Sequence, residues 1–345
     1  MIPIQNIYYM LSYAFQVLNE QCYKNIATEQ FNNTGELMAA ILEKGIAIQI
    51  KRGLGKEYIL QTEALSSLQG KIDIAESIKT QSMLRKQLIC TYDEFSVNSI
   101  MNRIIKSTVE LLLRSNISKQ RKKNLRKLMV YFSEVDFIDL YTVNWNVQYN
   151  RNNQTYRMLI SICYLVVKGL LQTQSNGHTE LMDFLDEQRM CRLYEKFILE
   201  YYRREFKNQI TANASQIPWQ LDNEENSMLP VMQSDIMLQS GEKVLIIDAK
   251  YYEHSTQVQF DKHTLHSGNL YQIFTYVKNK EYELREKDHT VSGMLLYAKT
   301  DEEIYPNNVY QMSGNQITVR TLGLNLPFDE IAGQLNTIAK THFDL

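Results

Sequence analysis

The sequence predicts an α/β protein of two domains: an α+β amino-terminal domain over residues 1–175, and an α/β domain with a mixed sheet over residues 176–345. The 345 residues are 44% hydrophobic and 22% charged, a composition typical of ordinary globular domains, which excludes disordered, collagen-like and disulfide-rich chains. Helical periodicity dominates up to a polar stretch at residues 172–178. Beyond it, a helix is followed by strands, one helix and further strands, the order expected of an α/β domain.

Helices are predicted in the amino-terminal domain wherever apolar residues recur three and four positions apart. The segments with this pattern are residues 4–18, 35–48, 98–113 and 157–171. Residues 70–74 instead alternate between apolar and polar, which predicts a strand that leaves a turn at Gly70.

The net charge of -2 conceals an uneven distribution. Residues 1–130 contain 18 Lys and Arg against 11 Asp and Glu, so an anionic partner would meet this part of the chain only. Six of these cations fall within residues 119–127. We interpret this run as a solvated helix face or loop, with a phosphate contact as the alternative.

The cysteines and the apolar runs indicate a cytoplasmic protein. The 4 Cys are scattered without metal-binding spacing, which is typical of reduced structural thiols. The most apolar run, residues 159–171, contains Lys168 and is too short to cross a bilayer, so no membrane association is expected.

The second domain contains a strong hairpin signal. Two β-rich runs, at residues 229–238 and 243–252, flank a turn that contains Ser240 and Gly241. A helix is predicted before them at residues 187–206 and another after them at residues 269–277. Strands at 291–298 and 316–322 and a closing helix at 327–339 would complete a small mixed sheet.

The end of the second hairpin strand carries the residues that point to chemistry. Because side chains alternate along a strand, Asp248 and Lys250 share one face while Ala249 points away. Residues 244–247 are all apolar, so charges at the end of this buried strand are expected to be paired, metal-bound or at a cleft. The hairpin would bring Asp235 close to Asp248, and two such carboxylates repel unless a divalent cation lies between them.

This arrangement matches the PD-(D/E)xK nuclease signature, with Asp235 and Asp248 as the acids and Lys250 as the lysine. We predict an Mg²⁺ site at Asp235, Asp248 and Ala249, at which Mg²⁺ polarises the scissile phosphate and lowers the pKa of a bound water. Lys250 would orient that water or offset the developing negative charge. The alternative is an exposed Asp–Lys pair on an edge strand.

Further residues extend the predicted site. Gln272 and Tyr276 are four apart and therefore share a helix face, and Gln-x-x-x-Tyr after such a strand is the accessory motif of RecB-type nucleases. Glu195 is a candidate additional acid, with an exposed helical glutamate as the alternative. Of His263 and His266, at most one is expected to take part, as an orienting residue.

The whole chain resembles the McrC family, the nuclease subunits of McrBC modified-cytosine restriction systems. The residues that carry the resemblance are 4–14 (IQNIYYMLSYA), 69–73 (QGKID), 102–107 (NRIIKS), Asp235, 248–252 (DAKYY) and 266–272 (HSGNLYQ). The resemblance implies that residues 1–175 dock on a hexameric ring of the AAA+ GTPase McrB and stimulate its GTP hydrolysis. The ring would recognise methylated cytosine in double-stranded DNA, which this chain would cut.

Two other functions remain open from the sequence. One is a stand-alone RecB-like DNA repair nuclease, and the other is a non-enzymatic regulator of an AAA+ ring. No Walker A sequence is present, so a nucleotide site within this chain is not expected.

Overall fold

The structure is a computed structural model that describes residues 2–15, 18, 23, 26, 29, 31, 33–150, 153–174, 187–222, 228–252, 257–259, 262–299 and 305–345. The chain divides into two compact units. One comprises Glu29–Asp183, and the other comprises Met1–Thr28 together with Phe184–Leu345.

The described residues form both helices and strands in each of the two units. The α-helices are α1 (Ile4–Ala14), α2 (Thr34–Arg52), α3 (Ile74–Lys79), α4 (Ile100–Arg114), α5 (Lys119–Met129), α6 (Tyr156–Gln174), α7 (Glu187–Glu205), α8 (Ser267–Glu283) and α9 (Phe328–Phe343). The strands are β1 (Glu57–Leu65), β2 (Lys71–Asp73), β3 (Leu88–Ser96), β4 (Thr211–Asn213), β5 (Gln216–Ile217), β6 (Met232–Gln233), β7 (Ile236–Ser240), β8 (Lys243–Lys250), β9 (Gln257–Gln259), β10 (Lys262–Thr264), β11 (Thr290–Ala298), β12 (Asn308–Met312) and β13 (Asn315–Leu322).

The unit Glu29–Asp183 joins a helical core to a three-stranded antiparallel sheet in the order β1-β3-β2. Buried Asn102 fixes the start of α4, because its amide donates to Gly55 O at 2.9 Å and Val97 O at 2.8 Å. The hydroxyl of Tyr156 in α6 donates to Asn102 Oδ1 at 2.8 Å. The role of Asn102, part of the segment that carries the family resemblance, is therefore structural.

The other unit is built on a six-stranded mixed sheet in the order β12-β13-β11-β8-β7-β4. Strands β8, β11 and β13 are parallel, and β7 is antiparallel to β8. Helix α8 packs on one face of the sheet through Ile273 and Val277, which are buried against Val244 and Ile246. The opposite face meets α9, whose residues line a cavity with Leu296. The α/β class and the mixed sheet are confirmed.

Helix α1 groups with this unit, although the sequence places residues 1–175 together in one domain. The amide of Asn6 donates to Leu324 O at 2.8 Å and Leu326 O at 2.7 Å, and Tyr13 packs edge-on against Phe197 in α7. These contacts join residues that are between 184 and 320 positions apart in the sequence, so local patterns do not reveal them. Residues 175–186, around the predicted boundary, lie outside the described residues.

The other elements differ from their predictions mainly in length and number. The predicted helices at 35–48, 98–113, 157–171, 187–206 and 327–339 are confirmed to within a few residues. The long strands β1 and β3 were not predicted, because their alternation is irregular and some of their apolar side chains, such as Tyr58, Leu60 and Phe95, are exposed. None of the described helices combines the length and apolarity that crossing a membrane requires.

Candidate active site

The β7–β8 hairpin positions the two predicted acids. Gly241 supplies the left-handed turn with φ 57°, a conformation that favours glycine. The register pairs Ile236 with Ile247, so Asp235 and Asp248 stand opposite each other at the open end of the hairpin. Because cross-strand neighbours point to the same face, the two carboxylates share one side of the sheet.

The environments of these acids differ. Asp235 is half-buried and its Oδ2 accepts a hydrogen bond from the main-chain N–H of Ala249 at 2.9 Å. Asp248 is 1% exposed. Burial raises the pKa of Asp248 to about 7, with the Lys250 charge opposing the shift and the neighbouring Asp235 adding to it. A buried carboxylate beside a second acid therefore holds its proton far more readily than an ordinary aspartate does.

Lys250 lies on the same face as Asp248. Its Nζ is 3.0 Å from Asp248 Oδ1 and 2.9 Å from Asp248 Oδ2. Burial alone would lower the pKa of Lys250, but the charge and hydrogen bond of Asp248 outweigh burial, so the pKa is raised. The pair is enclosed rather than exposed on an edge strand, since β8 lies between β7 and β11.

Helix α8 supplies the next two predicted residues. Lys250 Nζ donates to Gln272 Oε1 at 3.2 Å, and Gln272 Nε2 donates to the hydroxyl of Tyr276 at 2.9 Å. Gly293 in β11 allows α8 to approach, because a Cβ there would lie 2.8 Å from Ile273 and 2.9 Å from Val277. Hydrogen bonds thus link Asp248 and Lys250 in β8 to Gln272 and Tyr276 in α8.

Glu195 lies near these residues and is half-buried, so the alternative of an exposed helical glutamate is wrong. Its Oε1 accepts a hydrogen bond from Cys191 Sγ at 3.0 Å, and Cys191 Sγ is 4.0 Å from Ala249 O. Burial and the negative charge of Asp235 raise the pKa of Glu195. Burial and Glu195 raise the pKa of Cys191 to about 12.

Cys191 and an aromatic cluster were not predicted as part of this region. Tyr252 OH donates to Asn269 Oδ1 at 3.3 Å, and Asn269 Nδ2 donates to Tyr297 OH at 3.0 Å. Tyr297 is paired with Lys250 in the β8–β11 register. The four-residue spacing of Cys191 and Glu195 was visible in the sequence, but nothing there indicated that α7 crosses the end of β8.

Of the two candidate histidines, only His266 has a described side chain. His266 precedes α8 and its ring centre is 5.4 Å from that of Tyr252, which places it beside the aromatic cluster. The side chain of His263, in β10, lies outside the described residues.

The oxygen atoms at this site suit a hard divalent cation, although few side chains supply them. No group of three or more His, Cys, Asp and Glu side chains at metal-binding positions occurs among the described residues. Asp248 Oδ2 is nevertheless buried and accepts no well-aligned hydrogen bond, although Lys250 Nζ lies 2.9 Å from it as an ion-pair partner. Two carboxylates with main-chain oxygen nearby are the ligand types that Mg²⁺ prefers, so the residues fit the predicted cation.

Comparison with known proteins assigns the chain. Residues 5–298 match the model of the McrBC 5-methylcytosine restriction system component family. The chain belongs to this family. A McrBC relative, the type IV methyl-directed restriction enzyme EcoKMcrBC of Escherichia coli strain K12, is 30% identical over 329 residues, which cover 94% of this chain and 93% of the relative. The predicted resemblance to McrC is confirmed.

Two solved structures with similarity to this McrBC family chain come from Thermococcus gammatolerans. One is the refined half-complex from a tetradecameric assembly of McrB AAA+ hexamers with bound McrC, with TM-score 0.48, 18% identity, and coverage of 97% of this chain and 76% of that chain. The other is the McrBC complex determined by cryo-electron microscopy, with TM-score 0.43, 22% identity, and coverage of 59% of each chain.

The family match covers both units of this McrBC component. It includes α1, the three-stranded sheet and the hairpin with Asp235, Asp248 and Lys250, and it ends with β11. Strands β12 and β13 and helix α9 follow the matched range but complete the sheet that carries these residues.

Proposed function

We propose that this chain is the Mg²⁺-dependent DNA endonuclease subunit of a cytoplasmic McrBC-like type IV restriction system. It acts on double-stranded DNA that contains modified cytosine, together with a McrB-like AAA+ GTPase hexamer whose GTP hydrolysis it stimulates. The observation that carries the nuclease proposal is the convergence of Asp235, Asp248, Lys250 and Gln272 at one end of the β7–β8 hairpin.

The two acids are proposed to hold the cation. Asp248 offers a buried oxygen without a well-aligned hydrogen bond, and Asp235 is fixed by the main-chain N–H of Ala249. When bound, Mg²⁺ supplies Lewis-acid activation of the phosphodiester and of the attacking water. The two carboxylates would therefore hold the positive charge of the cation in one position before the substrate binds.

Lys250 contributes a positive charge in a constrained position. Its Nζ lies between Asp248 and Gln272, with contacts of 2.9–3.2 Å. A fixed cation beside the acids can orient the water or offset negative charge that develops on the phosphate. Gln272 and Tyr276 act as positioning residues, because they hold Lys250 through a continuous hydrogen-bond chain.

The proposal of a protein partner is supported by exposed apolar residues in the unit Glu29–Asp183. Tyr58, Leu60 and Phe95 lie on one face of the β1–β3 pair, with the rings of Tyr58 and Phe95 5.0 Å apart. Leu60 is 67% exposed and Leu84 is 81% exposed. The apolar sheet surface, as we name it, comprises Tyr58, Leu60 and Phe95. Further exposed apolar side chains of the same unit are Leu68, Ile72, Ile74, Ile78, Met83 and Leu84. So many exposed apolar side chains are typical of an interaction surface.

A cleavage assay tests the nuclease proposal. Wild type, Asp248→Asn, Lys250→Met and the control Glu242→Gln, in the exposed hairpin turn, are each combined with the GTPase, GTP, Mg²⁺ and methylated duplex DNA. We expect the cleavage rate of both site variants to fall at least a hundredfold, while both still stimulate the GTPase as wild type does. Glu242→Gln should keep the wild-type rate of cleavage. Full cleavage by Asp248→Asn would overturn the proposal.

Two other results of that assay favour the competing functions. Mg²⁺-dependent cutting of unmodified DNA by wild type without a partner would indicate a stand-alone nuclease. GTPase stimulation without any cleavage in Mg²⁺ or Mn²⁺ would indicate a non-enzymatic regulator.

The partner proposal has its own variants. Leu60→Asp introduces charge into the apolar sheet surface, and Leu84→Asp introduces charge at another exposed apolar residue of the same unit. We expect both to lose co-elution with the GTPase and stimulation of its GTP hydrolysis. The matched control is Met228→Asp, since Met228 is 94% exposed in the other unit. Wild-type stimulation by Leu60→Asp and Leu84→Asp would exclude these exposed apolar residues as the docking site.

A further inference from the structure

Helix α5 presents a row of positive charges on its outer side. Lys119, Lys123, Arg126 and Lys127 are exposed, and their spacing of four, three and one residues puts them on a single helix face. We call these four residues the cationic face. Lys122 is half-buried and lies outside it.

The inner side of α5 is fixed by packing and by ion pairs. Leu125 is fully buried. Arg121 forms ion pairs with Glu29, with Glu36 at 3.4 Å and with Glu43 at 2.8 Å. These contacts determine which side of the helix faces solvent, because Arg121 and Leu125 are one turn apart on the side opposite the cationic face.

Among the described residues, no acidic side chain forms an ion pair with the cationic face. Helix α5 contains no Asp or Glu, and the three glutamates beside it are engaged by Arg121. Within the described part of the chain, no hydrogen bond or ion pair involves the side chains of the cationic face. Solvated helix faces usually mix both signs of charge, so a row of one sign indicates an anionic partner.

The dimensions of the face suit a nucleic-acid backbone. At about 1.5 Å per residue, the helix rises about 12 Å between Lys119 and Lys127. Duplex DNA carries one phosphate charge per about 1.7 Å of its axis, so about seven phosphate charges lie within that length. Four cations in one row can therefore contact three or four phosphates at once.

We propose that the cationic face of α5 binds the phosphate backbone of duplex DNA. The inference rests on the proposed function, because it names a contact for the same substrate away from the proposed nuclease residues. Backbone contacts carry no base information, so the face binds methylated and unmethylated duplexes equally. Its role is to hold DNA, while recognition of the modified base belongs to other parts of the system.

The test is fluorescence anisotropy of a labelled 24-base-pair duplex with the full chain, in EDTA so that cleavage does not interfere. Association constants are measured from 50 to 200 mM KCl for wild type and for a variant with Lys119, Lys123, Arg126 and Lys127 all changed to Gln. Each phosphate contact contributes about 0.9 to the slope of log K against log salt, so we expect the variant to lose about 3 from that slope. The matched control changes four exposed cations elsewhere in the same unit to Gln: Lys51, Arg52, Arg85 and Lys86.

Every outcome of this experiment bears on the proposal. Loss of slope in the quadruple variant but not in the control supports it, and a half-sized loss in Lys123→Gln/Lys127→Gln with an unchanged melting temperature excludes a folding artefact. Equal slopes, or no binding by wild type at 50 mM KCl, would overturn it. Competition by poly-glutamate as strong as by DNA would overturn it in favour of an acidic protein partner. Binding in EDTA is independent of cleavage, so this proposal and the nuclease proposal fail separately.

Discussion

Asp235 Oδ2 accepts a hydrogen bond from the main-chain N–H of Ala249 at 2.9 Å. The bond ties the carboxylate before β7 to the backbone of β8, one residue beyond Asp248. Asp235 therefore stays beside Asp248, although the proximity of two acids is unfavourable. The hairpin itself thus holds the two groups that are proposed to share a cation.

Gly293 controls how closely α8 approaches the sheet. In Gly293→Ala the added Cβ would lie 2.8–2.9 Å from Ile273, Ile317 and Val277, so we expect a loss of about 1–3 kcal/mol in unfolding free energy. The displaced helix carries Gln272 and Tyr276, so cleavage should fall as well. Denaturant unfolding and the cleavage assay measure the two effects.

The control for this substitution is Gly268→Ala in the first turn of α8, where no atom lies within 4 Å of an added Cβ. Its unfolding free energy should stay within about 0.5 kcal/mol of wild type. Equal effects of the two changes would contradict the close packing of α8 at Gly293.

Gln272 positions Lys250 without contacting the proposed cation ligands. Gln272→Ala removes the acceptor at 3.2 Å from Lys250 Nζ, and we expect cleavage to fall about tenfold or more, equivalent to about 1.4 kcal/mol. Tyr276→Phe leaves Gln272 in place and removes only the partner of its Nε2, so its effect should be smaller. A loss in Tyr276→Phe that exceeds the loss in Gln272→Ala would argue against this order of contacts.

The proposed site residues were more predictable from sequence than the rest of the molecule. A hairpin with period-two alternation is a local pattern, so the shared face of Asp248 and Lys250 and the nearness of Asp235 follow from spacing alone. The contact of Cys191 with Glu195 near Ala249 depends on where α7 crosses the sheet. No local pattern encodes that crossing.

The grouping of the first residues of the chain could not be predicted from the sequence. Helix α1 was correctly predicted as a helix, but its membership of the second unit depends on Asn6 binding the backbone at Leu324 and Leu326. A buried asparagine at a helix start has many possible partners, and the sequence does not indicate which carbonyls it reaches.

Arg121 is a structural residue at the centre of three glutamates and is distinct from the cationic face on the same helix. Its side chain is 13% exposed, and Arg121→Gln leaves Glu36 and Glu43 without their cation. We expect a loss of about 2–3 kcal/mol in unfolding free energy, below the range for fully buried pairs because Glu29 is partly solvated. Denaturant unfolding measures it, with exposed Lys123→Gln as the control that should remain near wild type.

His342 makes stability depend on pH. Burial and the charge of Lys243 lower its pKa, and its buried Nε2 has no hydrogen-bond partner among the described residues. In the unfolded chain His342 takes up a proton near pH 6.5, whereas in the folded chain it does so only at lower pH. The free energy of unfolding therefore decreases as pH falls from 6.5 toward the lower pKa of the folded state.

Melting temperatures at pH 7.5, 6.5 and 5.5 test this linkage. We expect His342→Gln to show a smaller decline toward pH 5.5 than wild type. The control His289→Gln, in the segment before β11, should keep the wild-type decline. Parallel curves for wild type and His342→Gln would exclude His342 as a source of the pH dependence.

Calorimetric titration of the full chain with Mg²⁺ in the absence of DNA tests whether Asp235 and Asp248 together hold one divalent cation. We expect one Mg²⁺ to bind to wild type and to Glu242→Gln, and no measurable binding to Asp235→Asn or Asp248→Asn. Mg²⁺ at a hundred times its dissociation constant should stabilise the wild type by about 2.7 kcal/mol. Wild-type affinity for Mg²⁺ in both aspartate variants would show that these two residues do not hold the cation.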